Sequence, residues 1–441
     1  MTRISSVRST RTPWLVCLSA ALFFYYVFFQ LAMFNTISSH LMQTFNLNAT
    51  SLGYLSSSYF FADALLIIPA GILLDRFSTR TIALSMMTAC VISTYIFSVT
   101  HSYFLALLCR ALTGAGNAFA FLTSMQLASR WLPPKRLALG IGLIITTIML
   151  GGIVAQTPLA LLTSAIGWRS AMVINATLGL FFLAFMYYQL QDYPLEYHHS
   201  ATLTQNRTLF SNLKTALKSS QNWFCAGFVA FMNLPISLLG ELWGVMYLTQ
   251  THHLSMTTAT NITSMMFIGM IIGSPCMGWL SDKMQRRRIP MIMSAVFILA
   301  IVGLIAYINI TSAILLGSLF FILGLLASAQ VISYPTIAES NSLAITGTAM
   351  STVAIFLNIV SFIAQPLFGW LIHLGWNGMK INNTPIYSAA NFHLAMLLLP
   401  LAFIISLFIA LKVKETYCRH KNQVSEPISE LTLNELELIS N

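Results

Sequence analysis

Charge is what this 441-residue chain has least of: Asp, Glu, Lys and Arg together make up 8% of it, and only 12 residues are acidic. A soluble chain of this length carries roughly 25% charged residues to face water, so a water-exposed globule is excluded. The six cysteines (Cys17, Cys90, Cys109, Cys225, Cys276, Cys418) include no C-x-x-C pair, which leaves neither a disulfide framework nor a zinc site. There is no P-loop, no G-x-S-x-G and no H-E-x-x-H, so an enzyme is not expected, nor any cofactor or metal. The histidine pairs at 198–199 and 252–253 fall in loops.

What is present is apolar length. Hydrophobic residues make up 57% of the chain, and they gather into about a dozen runs long enough for a helix of ~20 residues to cross a ~30 Å hydrocarbon core. The runs lie near 14–40, 52–74, 81–99, 103–131, 137–165, 168–191, 222–250, 259–281, 290–309, 312–338, 344–374 and 389–413. Only 192–221 is a substantial linker, and it divides the chain into six-helix halves at 14–191 and 222–414, flanked by 1–13 and a tail at 415–441. The chain is therefore expected to be an all-α integral membrane protein with a lipid bilayer as its solvent.

Lys and Arg are retained on the cytoplasmic side of short loops. With the N-terminus inside, Arg76, Arg80, Arg130, Arg207, Lys283, Arg286, Arg287, Arg288 and Lys412 are all cytoplasmic, while Arg169 and Lys380 lie outside. Both termini and the linker are then cytoplasmic, and residues 1–13 read as the basic flank of the first span rather than a cleavable targeting peptide. This asymmetry accounts for the formal charge of +10 without a nucleic-acid partner. A bacterial inner membrane suits the pattern, with a lysosomal or other organelle membrane as the alternative.

The halves resemble each other. Gly71 precedes Asp75 and Arg76 at the spacing with which Gly278 precedes Asp282 and Lys283, and Ala155-Gln156-Thr157-Pro158 before Gly167-Trp168 matches Ala364-Gln365-Pro366 before Gly375-Trp376. Two matches at nearly one offset favour duplication, a common origin of transporter folds. Gly71-Ile-Leu-Leu-Asp75-Arg76-Phe-Ser-Thr-Arg80 resembles the loop between helices two and three of the major facilitator superfamily, with Ser78 where that family has glycine, and Arg110-Ala-Leu-Thr-Gly114-Ala-Gly116 resembles its fourth-helix pattern. The resemblance covers roughly residues 14–414. It implies two pseudo-symmetric six-helix halves, a small-molecule substrate and, as the family's usual form, a monomer.

A narrower resemblance rests on Gly151-Gly152, Gln156, Pro158 and Gly167-Trp168-Arg169, with Ser333-Tyr334-Pro335 and Glu339-Ser340-Asn341. These look like a branch with phagosomal nutrient carriers of intracellular bacteria and lysosomal dipeptide carriers, which implies amino acids or short peptides as substrates. Iron chelates stay open. The fifth helix lacks the glycine and proline spacing of drug/proton antiporters, which weighs against efflux.

Ionisable residues inside hydrocarbon are functional candidates by default. Asp63 precedes Asp75 by twelve positions, ~18 Å along a helix, which places it near the midplane as a proton or substrate site, or as a carboxyl bonded by Ser56, Ser57 or Ser58. Arg110 lies about two turns into the fourth run, and the resemblance links the matching arginine to proton coupling or substrate anions; the alternative is a side chain snorkelling to the outer interface. Glu241, between Gly240 and Gly244, lies in the outer half of the seventh run, where those glycines permit local unwinding; it either faces Arg110 across a cavity or contacts water at the external mouth. Tyr26, Gln30, Asn117 and Tyr334 are at depths that suit hydrogen bonds to a substrate or between helices. Gly114 and Gly116 allow a neighbouring helix to approach closely. Glu339, near the basic end of the tenth run, is expected to pair with Arg286, Arg287 or Arg288, as Arg130 is with Asp75, forming gate pairs that break when the cavity opens inward. The expected function is proton-coupled uptake of a small polar nutrient by alternating access, with export, facilitated diffusion or a non-transporting sensor as alternatives.

Overall fold

The computed structural model describes residues 13–193, 215, 217–308, 310–381 and 384–418. Most of the linker and of both termini lies outside them. Among the described residues, twelve helical spans are long and apolar enough to cross a membrane: span 1 (Pro13–Phe45), 2 (Ala49–Arg76), 3 (Thr79–Val99), 4 (Tyr103–Trp131), 5 (Leu139–Ile166), 6 (Trp168–Gln189), 7 (Ser220–Thr251), 8 (Met256–Met284), 9 (Arg288–Ala306), 10 (Ala313–Ser340), 11 (Thr348–Leu374) and 12 (Ala389–Lys412). They alternate in direction. One end of the bundle therefore carries 76–80, 130, 189–193 and 283–288 and is called the basic end; the other, with 45–49, 99–103, 251–256 and 374–389, is the far end.

Local sequence sets where spans begin. Side chains of Asn48, Ser78, Ser102, Ser255 and Ser312 accept from the backbone N–H three residues on, and Ser388 forms a capping box with Asn391. Ser78 has φ −57°, so no glycine is required at the motif position where the family has one. Its hydroxyl also donates to Asp192 Oδ2 at 2.6 Å, and Arg80 N donates to Asp192 Oδ1 at 2.7 Å, which ties the loop to the end of span 6.

Four spans are interrupted, each around a proline. A proline ring clashes with the carbonyl four residues earlier and supplies no N–H. Regular helix accordingly stops at Val154 before Pro158, at Met232 before Pro235 and at Met396 before Pro400, and becomes a 3₁₀ turn over Ser328–Ile332 before Pro335. After Pro235 the chain continues as a π-helix, Ile236–Trp243, so the seventh span widens around Gly240 instead of unwinding.

Within the first half span 2 packs on span 4, and within the second span 8 packs on span 10. Both contacts depend on glycine. A Cβ at Gly114 would fall 2.1 Å from Tyr59 O, and one at Gly324 would fall 2.0 Å from Met266 O, so each pair of helices is in backbone contact. Gly116 is equally tight, 2.2 Å from Cys90 Sγ. Gly71 and Gly278 are different, because a Cβ at the first would meet only Leu122 at 3.9 Å and one at the second nothing within 4 Å.

The halves meet at the far end and part at the basic end. Hydrogen bonds from Ala49 N to Tyr387 Oη (3.0 Å) and from Thr157 Oγ1 to Asn261 Oδ1 (2.6 Å) join them at the far end, where a Cβ on Gly53 would be 2.6 Å from Pro366 Cα. At the basic end a cleft of about 450 Å³ opens between spans 2 and 4 on one side and span 11 on the other, lined by Ile67, Gly71, Asp75, Gln126, Thr348 and Thr352 among others. Gly114→Val is expected to cost on the order of 3 kcal/mol by wedging spans 2 and 4 apart. A thermal melt of the purified protein in detergent should show a clear fall in Tm, and an unchanged Tm would refute the backbone contact.

Candidate functional site

Three ionisable side chains are buried between the ends of the bundle: Arg110, Asp63 and Glu241 are 2%, 3% and 3% exposed. Arg110 is therefore no snorkelling side chain, and Glu241 is not a carboxyl at a wet external mouth.

Arg110 is held by spans 1 and 2. Its Nη1 donates to Gln30 O and its Nη2 to Leu31 O at 3.2 Å, using second lone pairs of carbonyls in span 1. Phe34 and Tyr59 cover the guanidinium with ring centroids 3.9 and 4.8 Å from Cζ, a packing that favours a weakly hydrated, delocalised cation. Its Nε has no hydrogen-bond partner.

Asp63 accepts from Asn117 Nδ2 at 2.7 Å, so the fourth-span asparagine bonds the acid rather than standing free. Asn358 of span 11 lies against the same carboxyl from the other half. Ser57 and Ser58 turn back to carbonyls of their own helix and do not bond Asp63. Its Oδ1, like Asn117 Oδ1, lacks a partner. Glu241 projects from the π-helix; it is close enough to Arg110 to feel its charge, but ion pairs among the described residues are confined to Arg287 with Asp282 and Glu339. Its Oε2 is also unpartnered. Buried polar atoms without partners are rare, and Asp63 with Asn117, and Glu241 near Arg110, keep one on each residue, so each of the two pairs can take a proton, water or a polar ligand.

Three expected substrate side chains are elsewhere. Tyr26 Oη donates to Thr94 Oγ1 at 2.9 Å and Gln30 Nε2 to the same atom at 2.8 Å. Both side chains thus bond span 3 inside the first half, and only the backbone of Gln30 reaches the site. Tyr334 packs at the basic end against Val353 and neighbouring apolar residues, away from Arg110.

At the basic end the expected pair of Glu339 with an arginine forms, and the expected pair of Arg130 with Asp75 does not. Arg287 donates to Glu339 Oε1 at 2.6 Å and to Asp282 Oδ1 at 2.5 Å, while Glu339 also accepts from Thr416 and Glu415 takes the N–H of Arg287 at 2.7 Å. All of these residues belong to the second half or to the start of the tail that follows it, so the cluster joins nothing in the first half and is not a gate between halves. Arg130 donates to Thr79 Oγ1 at 2.9 Å and stacks on Tyr193 without pairing with Asp75, whose Oδ1 accepts from Gln126 at 3.4 Å. Lys283 stacks on Trp279 and Arg286 on Tyr417; Arg76 is exposed beside the cleft.

Sequence reasoning passed over Asn35 and took Gln156 and Gln365 only as marks of a repeat and a resemblance, although all three brace the seventh span. Asn35 Nδ2 lies 3.1 Å from Leu239 O and 3.0 Å from Gly240 O, and its Oδ1 accepts from Val245 N at 2.9 Å. Gln156 Nε2 donates to Gly240 O at 3.0 Å, and its Oε1 accepts from Thr263 at 2.9 Å. Gln365, the repeat counterpart of Gln156, donates to Ser237 O at 2.9 Å. A lone Asn or Gln within an apolar run was the available signal.

With this geometry in place, comparison with known proteins is informative. The Major Facilitator Superfamily profile matches residues 18–364 and 224–426. This chain belongs to the major facilitator superfamily. Among curated relatives it is 20% identical to the "Probable sulfoacetate transporter SauU" of Cupriavidus necator, over 74% of this chain and 79% of that one. It is 23% identical to the "Membrane sensor protein UhpC" of Escherichia coli, over 85% and 88% of the respective chains. Among solved structures it resembles a bacterial homologue of the human lysosomal transporter Spinster in an inward-facing, unoccupied conformation, with a TM-score of 0.76, 17% identity, and 91% of this chain and 97% of that one covered. The nucleoside transporter NupG follows at TM-score 0.71 and 15% identity, covering 90% and 99%. The superfamily is one of transporters and not of enzymes, and the chain is a multi-pass membrane protein.

Arg110→Lys keeps the charge but loses the fork that reaches two carbonyls and the flat face that stacks between Phe34 and Tyr59. Its transport rate should fall about tenfold or more while the detergent Tm changes little; wild-type transport would remove Arg110 from the site.

Proposed function

We propose that this carrier takes up a small polar nutrient bearing a carboxylate, an amino acid or short peptide first among the candidates, in symport with protons. The reading rests on one observation: Asp63 and Glu241 are buried in the span interiors without an ion-pair partner, Asp63 beside Asn117 and Glu241 near Arg110. An unpaired carboxylate in hydrocarbon costs several kcal/mol, so each acid has a strong reason to bind a proton or a substrate cation. Arg110 supplies a fixed positive charge for the substrate's carboxylate. An acid across from it is suited to an ammonium group or to the proton that replaces it.

Positive-inside asymmetry makes the basic end cytoplasmic, so the cleft faces the cytoplasm and the far end is sealed. The site would load from outside after the halves rock the other way about it. Gly71, which borders the open cleft, then has a use that this conformation does not display: it leaves room for span 11 when the cleft closes. A bacterial inner membrane and a monomer fit this cycle. A second reading, transport of an organic anion, is favoured by the relatives named for sulfoacetate and D-galactonate, and by the unpartnered Nε of Arg110.

Uptake into proteoliposomes of labelled amino acids, dipeptides and organic acids, with and without an inward proton gradient, tests these readings. Gradient-driven accumulation of a zwitterion supports the first and accumulation of an anion alone the second. No accumulation of any would leave export or a sensor such as that relative. Asp63→Asn is expected to abolish uphill accumulation by at least tenfold while leaving counterflow exchange; unchanged uphill uptake removes Asp63 from coupling.

A further inference from the structure

Span 7 is a broken ladder completed by the other half of the protein. In the π-helix Ile236–Trp243 the rung between Gly240 O and Val245 N is replaced by one side chain: Asn35 of span 1 donates to Gly240 O at 3.0 Å and accepts from Val245 N at 2.9 Å. Its carboxamide has a peptide group's donor and acceptor, so it substitutes for the missing rung almost without loss. Gln156 caps Gly240 O a second time at 3.0 Å. Both amides come from the first half, whereas the ladder they complete belongs to the second.

We propose that Asn35 is a removable rung that couples closure of the far end to the register of span 7. While the far end is closed, the carboxamide is inserted and span 7 stays wide. When the far end opens, spans 1 and 5 withdraw from span 7. Gly240 O and Val245 N are then left without partners in a low-dielectric interior, a state that costs several kcal/mol per group, and the helix must close its own ladder. Expelling the extra residue of a wide turn rotates one side of a helix by about 100° against the other. Glu241 lies in that turn and moves with it, so its surroundings differ between the two states whatever ion it carries.

Gly244 supplies an independent handle. In the wide register a Cβ at 244 would fall 2.0 Å from Leu239 O, so this turn admits only glycine there. Any side chain at 244 drives span 7 toward the α register without touching Asn35.

The proposal depends on the rocking of the halves and not on protons or on a particular substrate, so it is tested without transport. Spin labels at His101 and Met379, exposed at the far end of each half, report the separation there by pulsed electron paramagnetic resonance in nanodiscs, with Cys276→Ser and Cys418→Ser as background. Asn35→Leu should reduce the short-distance, closed population severalfold. Gly244→Ala should do the same, and the double variant should go no further than the stronger single one, since both act on one register. An unchanged distribution in both single variants overturns the proposal. So does an additive shift in the double variant, which would make Asn35 simple adhesive between halves. If Asn35→Leu does not fold, Asn35→Ser removes the same bridge, and Gly244→Ala alone still decides whether the wide register holds the far end shut.

Discussion

A carbonyl or N–H released from a helix inside hydrocarbon has no water to turn to, and this constraint organises the molecule. Prolines at 158, 235, 335 and 400 break the ladders of four spans. The freed groups must be paired by side chains from elsewhere, and the side chains that do so become the fixed points of the structure. Thr36 covers Ala155 O at 2.6 Å, Gln365 covers Ser237 O, and Asn35 and Gln156 together cover Gly240 O. Two of the partners, Asn35 and Gln156, cross from one half to the other, so backbone satisfaction and the state of the far end are one condition.

The same constraint explains why the ionisable centre is where it is. A wide turn carries Glu241 near Arg110, and the close contact of spans 2 and 4 at Gly114 sets Tyr59 over the guanidinium of Arg110. Asp63, one turn further along span 2, receives Asn117 from span 4 across the same contact. Tight helix packing therefore does chemical positioning as well as holding the first half together. At the basic end, by contrast, Arg287 with Asp282 and Glu339 makes a closed cluster within one half. It fixes the end of span 8 against span 10 and the residues after span 12, and leaves the opening of the cleft to the contact of span 2 with span 11.

Much of this was legible beforehand. Twelve apolar runs, a basic asymmetry and a repeated Gly-x-x-x-Asp motif specify a duplicated membrane bundle, because hydrophobic length and charge placement are properties of the chain that tertiary contacts do not alter. The membrane charges Asp63, Arg110 and Glu241 could be singled out for the same reason: their cost in hydrocarbon is independent of the fold. Pairing was not legible. Glu339 had three arginines within reach in sequence and chose Arg287; Arg130 went to Thr79 and not to Asp75. Tyr26 and Gln30 have depths suited to a cavity, yet their direction about the helix axis turns them to Thr94.

By itself, then, the amino-acid order determined the solvent, the number of crossings and which charges must be accounted for, since each follows from composition over a window of about 20 residues, while its motifs carried the resemblance to the family. Only the tertiary structure decided which partner each polar group took, which end of the bundle is open, and that Asn35 would complete a helix in the opposite half. Those outcomes depend on rotations of about 100° per residue about a helix axis and on helices far apart in sequence meeting at backbone distance, and neither is encoded in any local window.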